Sequence, residues 1–326
     1  MAYQEIIAPA TPAAVIDAIR AFAEANGWTV SRNNLSGSNR TVTLKRAETD
    51  YLHIYNLNAN NVYLRGSIDY ASGATPDATT RRGHRAVLNV GAGPYTKLFM
   101  FADNTPSPYV HFVIEANTAG NFWHGSFGVM DKFEAFTGGL DYDGTSWTTP
   151  GTTNGAPWTY GSSSYPLFAG NYSTYTAPTT TTSPCGAIRC DFAADSRTDA
   201  WFSFSDDSNA DTDLSIRCGI HASRGGGSTD GELTYKAESC DGNVFSNRSI
   251  LHRIMASVRR VGGYWSPIGT FPDVRFCSVA KFTDGQEITI GSDVWKIFPM
   301  LRKGSVGAPL YERYSQNFGY AYRKKV

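Results

Sequence analysis

The sequence predicts a mainly β protein: a small α+β module at the N-terminus, then an antiparallel, β-sandwich-like body with long aromatic-rich loops. Three observations predict it. Only one window, residues 11–26, sustains an apolar period of helical type. Stretches that follow it alternate polar and apolar residues over strand lengths, as in Thr41-Val-Thr-Leu-Lys45 and Tyr51-Leu-His-Ile-Tyr55. The composition combines 18 Tyr, 18 Phe and 7 Trp with 32 Gly, which favours strands punctuated by turns and bulges. At 326 residues the chain can form one large β domain or two smaller ones, and either buries a core without staples. The expected division is 1–104 for the module and 105–326 for the body.

The helix is expected over 11–26. Thr11 is a suitable N-cap, Pro12 fits the first helical position, and Gly27 supplies a left-handed stop. Val15, Ile19 and Phe22, with Ala14, Ala18 and Ala21, form an apolar stripe that needs a sheet to cover it. Strands are expected at 28–32, 41–45, 51–56 and 62–68, separated by Asn, Gly and Ser clusters that favour turns. Three more are expected at 98–102, 109–116 and 121–127.

Regular structure thins out over about 138–184. Five tyrosines, two tryptophans and a phenylalanine there argue for ordered loops with docked rings, and only 179–183 reads as a linker. Strands are then expected at 200–205, 214–220 and 233–237. Residues 250–259 fit helix or strand. A C-terminal hairpin follows, with strands at 276–282 and 287–290 around Asp284-Gly285 and a third strand at 294–301. The aromatic run 311–322 is expected to dock on the body or on a neighbouring subunit, leaving Arg323-Lys324-Lys325 as a solvated terminus.

Charge narrows the partners. Lys plus Arg and Asp plus Glu both number 29, so the net charge is zero and the basic footprint of a nucleic-acid binder is missing. A neutral chain also lacks the repulsion that opposes self-association. No window approaches the about 18 apolar residues of a membrane span. The first residues lack the basic start and apolar run of a secretory signal, so a cytoplasmic setting is expected. There the five scattered cysteines are expected as free thiols.

Candidate chemistry is sparse. Cys185 and Cys190 are spaced more widely than a zinc half-site and no second pair follows, so they read as small hydrophobes. Gly91-Ala-Gly93 lacks the third glycine and the following helix of a dinucleotide loop, and reads as a turn. The Asp207–Asp213 run places oxygen ligands at alternate positions, but Thr212 stands where a calcium loop needs glycine and Cys218 where it needs a bidentate acid. Glu115, Glu134, Asp141 and Asp143 are the acids that could form a glycosidase pair. His111 and His124 fall on neighbouring predicted strands, where packed, hydrogen-bonded rings are the expectation, and without a third ligand no metal is assigned. No cofactor and no catalytic residue is expected.

Three segments carry a family likeness: the helix and Asn26-Gly-Trp-Thr-Val30 (13–30), the block HFVIE…FWHGSFGVMDKFEAFTGG (111–139), and the closing VWKIFPMLRKG…NFGYAYRKK (294–325). Together they resemble a family of tailed-bacteriophage virion structural proteins encoded among tail and baseplate genes. The central block is the most specific part, and 140–250 lies outside the likeness. The family supplies no catalytic residues to carry over. The resemblance implies a non-enzymatic building block of the tail or baseplate, present in several copies in the virion and assembled in the host cytoplasm. Its partners would be other tail and baseplate proteins and copies of itself, with tail fibres or a host-surface glycan as further contacts.

Assembly interfaces are enriched in Tyr, Trp, Phe and Arg and depleted in Lys and Glu, and Arg outnumbers Lys here. The expected contact rings are Trp123, Phe127, Trp147, Trp158, Tyr160, Tyr165, Tyr172, Tyr175, Tyr320 and Tyr322. The alternative is a receptor- or carbohydrate-binding β protein of the tail tip, in which the rings between Trp147 and Tyr175 stack on sugars.

Overall fold

A computed structural model of the chain describes residues 1–46, 50–68, 70, 76, 86–116, 121–133, 141–145, 147–148, 164–165, 167–168, 186–190, 200–203, 216–218, 250–259, 265–300 and 318–324. These residues form a mainly β structure with one helix, and the strand pairs are antiparallel.

The chain opens with β1 (Ala2–Ile7) and turns into α1 (Pro12–Ala25). Thr11 is extended at φ −148° and its Oγ1 accepts from the Ala14 N–H at 3.2 Å, satisfying a donor that the first turn leaves open. At the other end the Asn26 side chain donates to the Phe22 carbonyl at 2.8 Å, and Gly27 at φ +87° redirects the chain. The buried stripe is Val15, Ile16, Ile19, Phe22 and Ala23, while Ala21 faces solvent.

A five-stranded N-terminal sheet follows in chain order: β2 (Thr29–Ser36), β3 (Asn39–Lys45), β4 (Tyr51–Tyr55), β5 (Asn61–Ser67) and β6 (Ala86–Asn89). Its apolar face (Val42, Leu44, Leu52, Ile54, Val62, Leu64, Ala86, Leu88) receives α1.

The central sheet has seven strands in the order β1, β7 (Lys97–Asp103), β8 (Tyr109–Glu115), β9 (Phe122–Val129), β11 (Asp141–Thr145), β14 (Gly186–Cys190) and β15 (Ala200–Ser203). Both of its faces are covered. Leu98, Met100, Val110, Phe112, Ile114 and Phe127 join the core beneath α1 and the N-terminal sheet, whereas Phe99, Phe101, Val113, Phe122, Tyr142 and Ile188 face a third layer. Double burial explains why 98–102 and 109–114 read as near-continuous apolar runs. Gly125 lies opposite Phe112, whose ring occupies the space that a Cβ would need.

The third layer, the outer sheet, runs β16 (Ile216–Cys218), β17 (His252–Arg259), β18 (Trp265–Ser278), β21 (Phe318–Lys324), β20 (Asp293–Pro299), β19 (Glu287–Ile290). Short β10 (Asp131–Lys132) pairs with β18, and β12 (Trp147–Thr148) with β13 (Ser164–Tyr165). Ring contacts show central and outer sheets stacked with strand order in step. Phe99 of β7 meets Phe298 of β20 at 4.8 Å, Phe101 stacks on Tyr322 of β21 at 5.2 Å, and Tyr142 of β11 meets Phe271 of β18 at 4.9 Å.

The structure bears on several of these expectations. Residues 252–259 are strand, because alternate residues Ile254 and Ala256 enter the core between the sheets while Arg253 and Met255 stay exposed. The strand ending at Ser278 does not pair across Asp284-Gly285 with β19. Its partners are β17 and β21, and the hairpin is β19–β20, turned at Gly291 with φ +63°. Residues 141–145, expected in a loop, form an inner strand between β9 and β14. Arg323 and Lys324 are not a free basic tail: Arg323 pairs with Asp273 and Asp293, and Lys324 with Glu287. The expected boundary at residue 104 falls in the turn between β7 and β8, neighbours in one sheet. The expected strand 233–237 and the Asp207–Asp213 run lie outside the described residues.

Candidate functional site

The densest collection of polar side chains lies in the seam between the central and outer sheets. β8 and β9 alternate so that His111, Val113, His124 and Ser126 point toward the outer sheet, with His111 opposite Ser126 and Val113 opposite His124. His111 Nε2–H donates to the Pro272 carbonyl at 2.7 Å, which leaves Nδ1 of the neutral ring to accept from Ser126 Oγ–H at 2.6 Å. Ser126 has then used its proton, so the Tyr142 hydroxyl, 3.2 Å away, donates to it. His124 repeats the arrangement, with Nε2–H to the Pro299 carbonyl at 2.9 Å and Nδ1 accepting from Tyr322 at 2.8 Å. Tyr109 donates to Asp273 at 2.8 Å, and Tyr320 accepts from the Leu167 N–H at 2.9 Å.

Burial sets the charge of this seam. It lowers the pKa of His111 to about 3 and of His124 to about 4, so both rings are neutral at ordinary pH. Burial also raises the tyrosine hydroxyls of Tyr109, Tyr142 and Tyr322, which therefore stay protonated as donors. A serine hydroxyl against an imidazole is half of an activated nucleophile. Here Ser126 and His111 have no exposed surface, and the second imidazole nitrogen holds a backbone carbonyl. In this conformation the contact serves as a strut between layers.

A third buried histidine, His53 of β4, lies on the face of the N-terminal sheet away from α1. Thr43 Oγ1 is 3.0 Å from Nδ1 and Ser67 Oγ 2.8 Å from Nε2. Burial, then the nearby Arg65 and Arg32, lower its pKa to about 3.

Of the four acids singled out in the sequence, Asp141 is the more deeply buried of the two whose side chains are described. It opens β11, is buried, and accepts a hydrogen bond from the backbone N–H of Asp50. Asp50 is also buried and pairs with Arg189 of β14 at 2.8 Å. Burial, then the Asp50 carboxylate, push the Asp141 pKa up to about 7. Glu115 is half-buried at the end of β8, its pKa raised chiefly by burial. Glu134 and the side chain of Asp143 lie outside the described residues.

The expected contact rings divide into three groups. Trp123 and Phe127 fill the core beneath α1, while Tyr320 and Tyr322 fill the seam, all at most 8% exposed. As the chain stands, these four offer their rings to its own interior. Trp147 and Tyr165 are brought opposite each other in the β12–β13 pair. Trp158, Tyr160, Tyr172 and Tyr175 lie outside the described residues.

No protein family and no curated protein matches this chain. Among the described residues, no group of three His, Cys, Asp or Glu is placed to hold a metal ion, and no helix is long and apolar enough to cross a membrane. Sequence reasoning missed Asp50 and Arg189 as partners of Asp141. They lie 139 residues apart, and nothing local marks either one. The Ser126–His111 contact had a partial signal, since both residues fall on strands that the sequence predicts as neighbours.

Proposed function

We propose that this chain is a non-catalytic structural subunit of a bacteriophage tail or baseplate, assembled in the host cytoplasm and acting through contacts with tail proteins and copies of itself. The observation that carries the reading is the use of polar groups. The seam's histidines and tyrosines bind one layer to the next, and β1, β2 and β19 each have one strand neighbour among the described residues. An edge strand presents unpaired N–H and C=O groups, which a sister chain can extend. Zero net charge places no electrostatic barrier against such contacts.

In this reading the stacked central and outer sheets are the sandwich-like body, and α1 with the N-terminal sheet is an adaptor module fused to it. The block 111–139, the most specific part of the sequence resemblance to tail and baseplate proteins, includes most of β8 and all of β9, the middle of the central sheet.

The test is location in the particle. Phage carrying an epitope tag on this chain should bind gold-labelled antibody at the tail or its baseplate. Label confined to the head shell, or absent from purified particles, overturns the proposal.

A further inference from the structure

The junction of Asp50, Asp141 and Arg189 joins two layers. Asp50 immediately precedes β4 of the N-terminal sheet, whereas Asp141 and Arg189 belong to adjacent central strands β11 and β14. Two buried carboxylates, Asp50 and Asp141, lie beside the Arg189 guanidinium, and ionising Asp141 there costs it its hydration and sets it against the Asp50 carboxylate. Other charged groups among the described residues bear on this junction. Lys132 of β10 acts on Asp141 from a distance, Asp131 is the neighbour of Lys132 in that strand, and Arg65 of β5 sits beside His53. The described strand β6 contributes Ala-Val-Leu-Asn and no charge.

We propose that the Asp50–Asp141 pair is a proton-controlled latch, closed when Asp141 holds a proton beside the Asp50–Arg189 ion pair and loosened when that proton leaves. In the closed form Asp141 accepts from the Asp50 N–H, and the Asp50 carboxylate pairs with Arg189. Losing the proton sets two like charges against each other in a buried junction, and their separation moves the start of β4 away from β11. The direction of the Asp141 shift agrees with this geometry, and its value of about 7 places the transition near neutrality. His53, His111 and His124 titrate well below that pH, so they do not share the transition.

The test is amide hydrogen exchange of the full chain at pH 5.5 and 8.5, corrected for intrinsic exchange. In the native sequence, protection over 50–55 and 141–145 should fall by about thirtyfold at the higher pH, the factor expected for a proton held at about 7 in the closed form and near 4 in the open one. Asp141→Asn keeps the shape of the protonated acid and should abolish the step while retaining protection at both pH values. An equal step in both proteins, or no step in the native chain, overturns the latch. Should Asp141→Asn fail to fold, Asp50→Asn decides. It removes the like charge and leaves Arg189 to Asp141, so the step should shrink strongly, and a full-sized step contradicts the proposal.

Discussion

His124 and Tyr322 meet across two sheets: the tyrosine hydroxyl donates to Nδ1 at 2.8 Å, and the rings lie 5.9 Å apart at an interplanar angle of 14°. They are 198 residues apart in the chain, so this contact ties the central sheet to the last strand. Because Nε2–H is held by the Pro299 carbonyl, the ring cannot exchange its tautomer to compensate for a lost donor. Tyr322→Phe should therefore destabilise the protein by about 1–3 kcal/mol, the usual cost of a buried unpaired acceptor. A denaturant titration would read this as a lower midpoint at unchanged slope. An unaltered midpoint would show that the hydroxyl does not bind the layers.

The three buried histidines make stability fall on acidification. Their folded pKa values of about 3 to 4 lie below the ordinary 6.5, so the unfolded chain takes up protons that the folded chain refuses. Their stabilisation is complete above pH 6.5 and is lost as pH drops toward their folded values. Asp141 acts the other way, because its folded pKa of about 7 means that the folded chain keeps a proton the unfolded chain has released. For these four groups, three protons gained on unfolding against one lost leaves two, so their contribution to stability should fall by roughly 3 kcal/mol per pH unit around pH 5. Urea titrations at pH 7, 6 and 5 measure this slope. Stability that stays flat or rises toward pH 5 contradicts neutral, buried rings.

Ending the chain before β21 should be more damaging than a surface truncation. β21 lies between β18 and β20, and it carries Tyr320 and Tyr322 with no exposed surface. Its removal breaks two strand pairings and opens the seam, a loss comparable with the about 5–15 kcal/mol that holds an ordinary domain together. A chain lacking residues 318–326 should show no cooperative thermal transition by circular dichroism. A native-like transition in that chain would mean the outer sheet closes without its last strand.

Gly125 is a packing requirement of the cross-strand pair with Phe112. A methyl group there enters the space of the Phe112 ring, so Gly125→Ala should cost about 1–3 kcal/mol through overpacking. Phe112→Leu frees that space. The double variant should then lose less than the sum of the single losses in a double-mutant cycle. Strict additivity would show that ring and glycine do not touch.

What the sequence discloses follows from how local each feature is. α1 was legible because cap, proline, apolar stripe and stop glycine all lie within 17 residues, and β3 and β4 because one buried face imposes alternation. The Ile16 and Ala23 contacts were missed because the helix packs under two sheets, which widens its buried stripe. β11 hid in a glycine- and tyrosine-rich run, since its pairing comes from β9 and β14 and its own propensity is weak. The β18–β21 pairing, the seam and the Asp50–Arg189 contact depend on segments far apart in sequence. For the seam, sequence identified the residue types and could not supply the partners.

The proposed assembly into a phage particle is tested most directly inside that particle. Phage grown with a mixture of isotopically light and heavy forms of this chain can be purified, cross-linked and read by mass spectrometry. Cross-links joining a light copy to a heavy copy, with several copies per particle, are the expected result. A single copy per particle with no light-to-heavy cross-link would contradict a subunit that works by contact with its sisters.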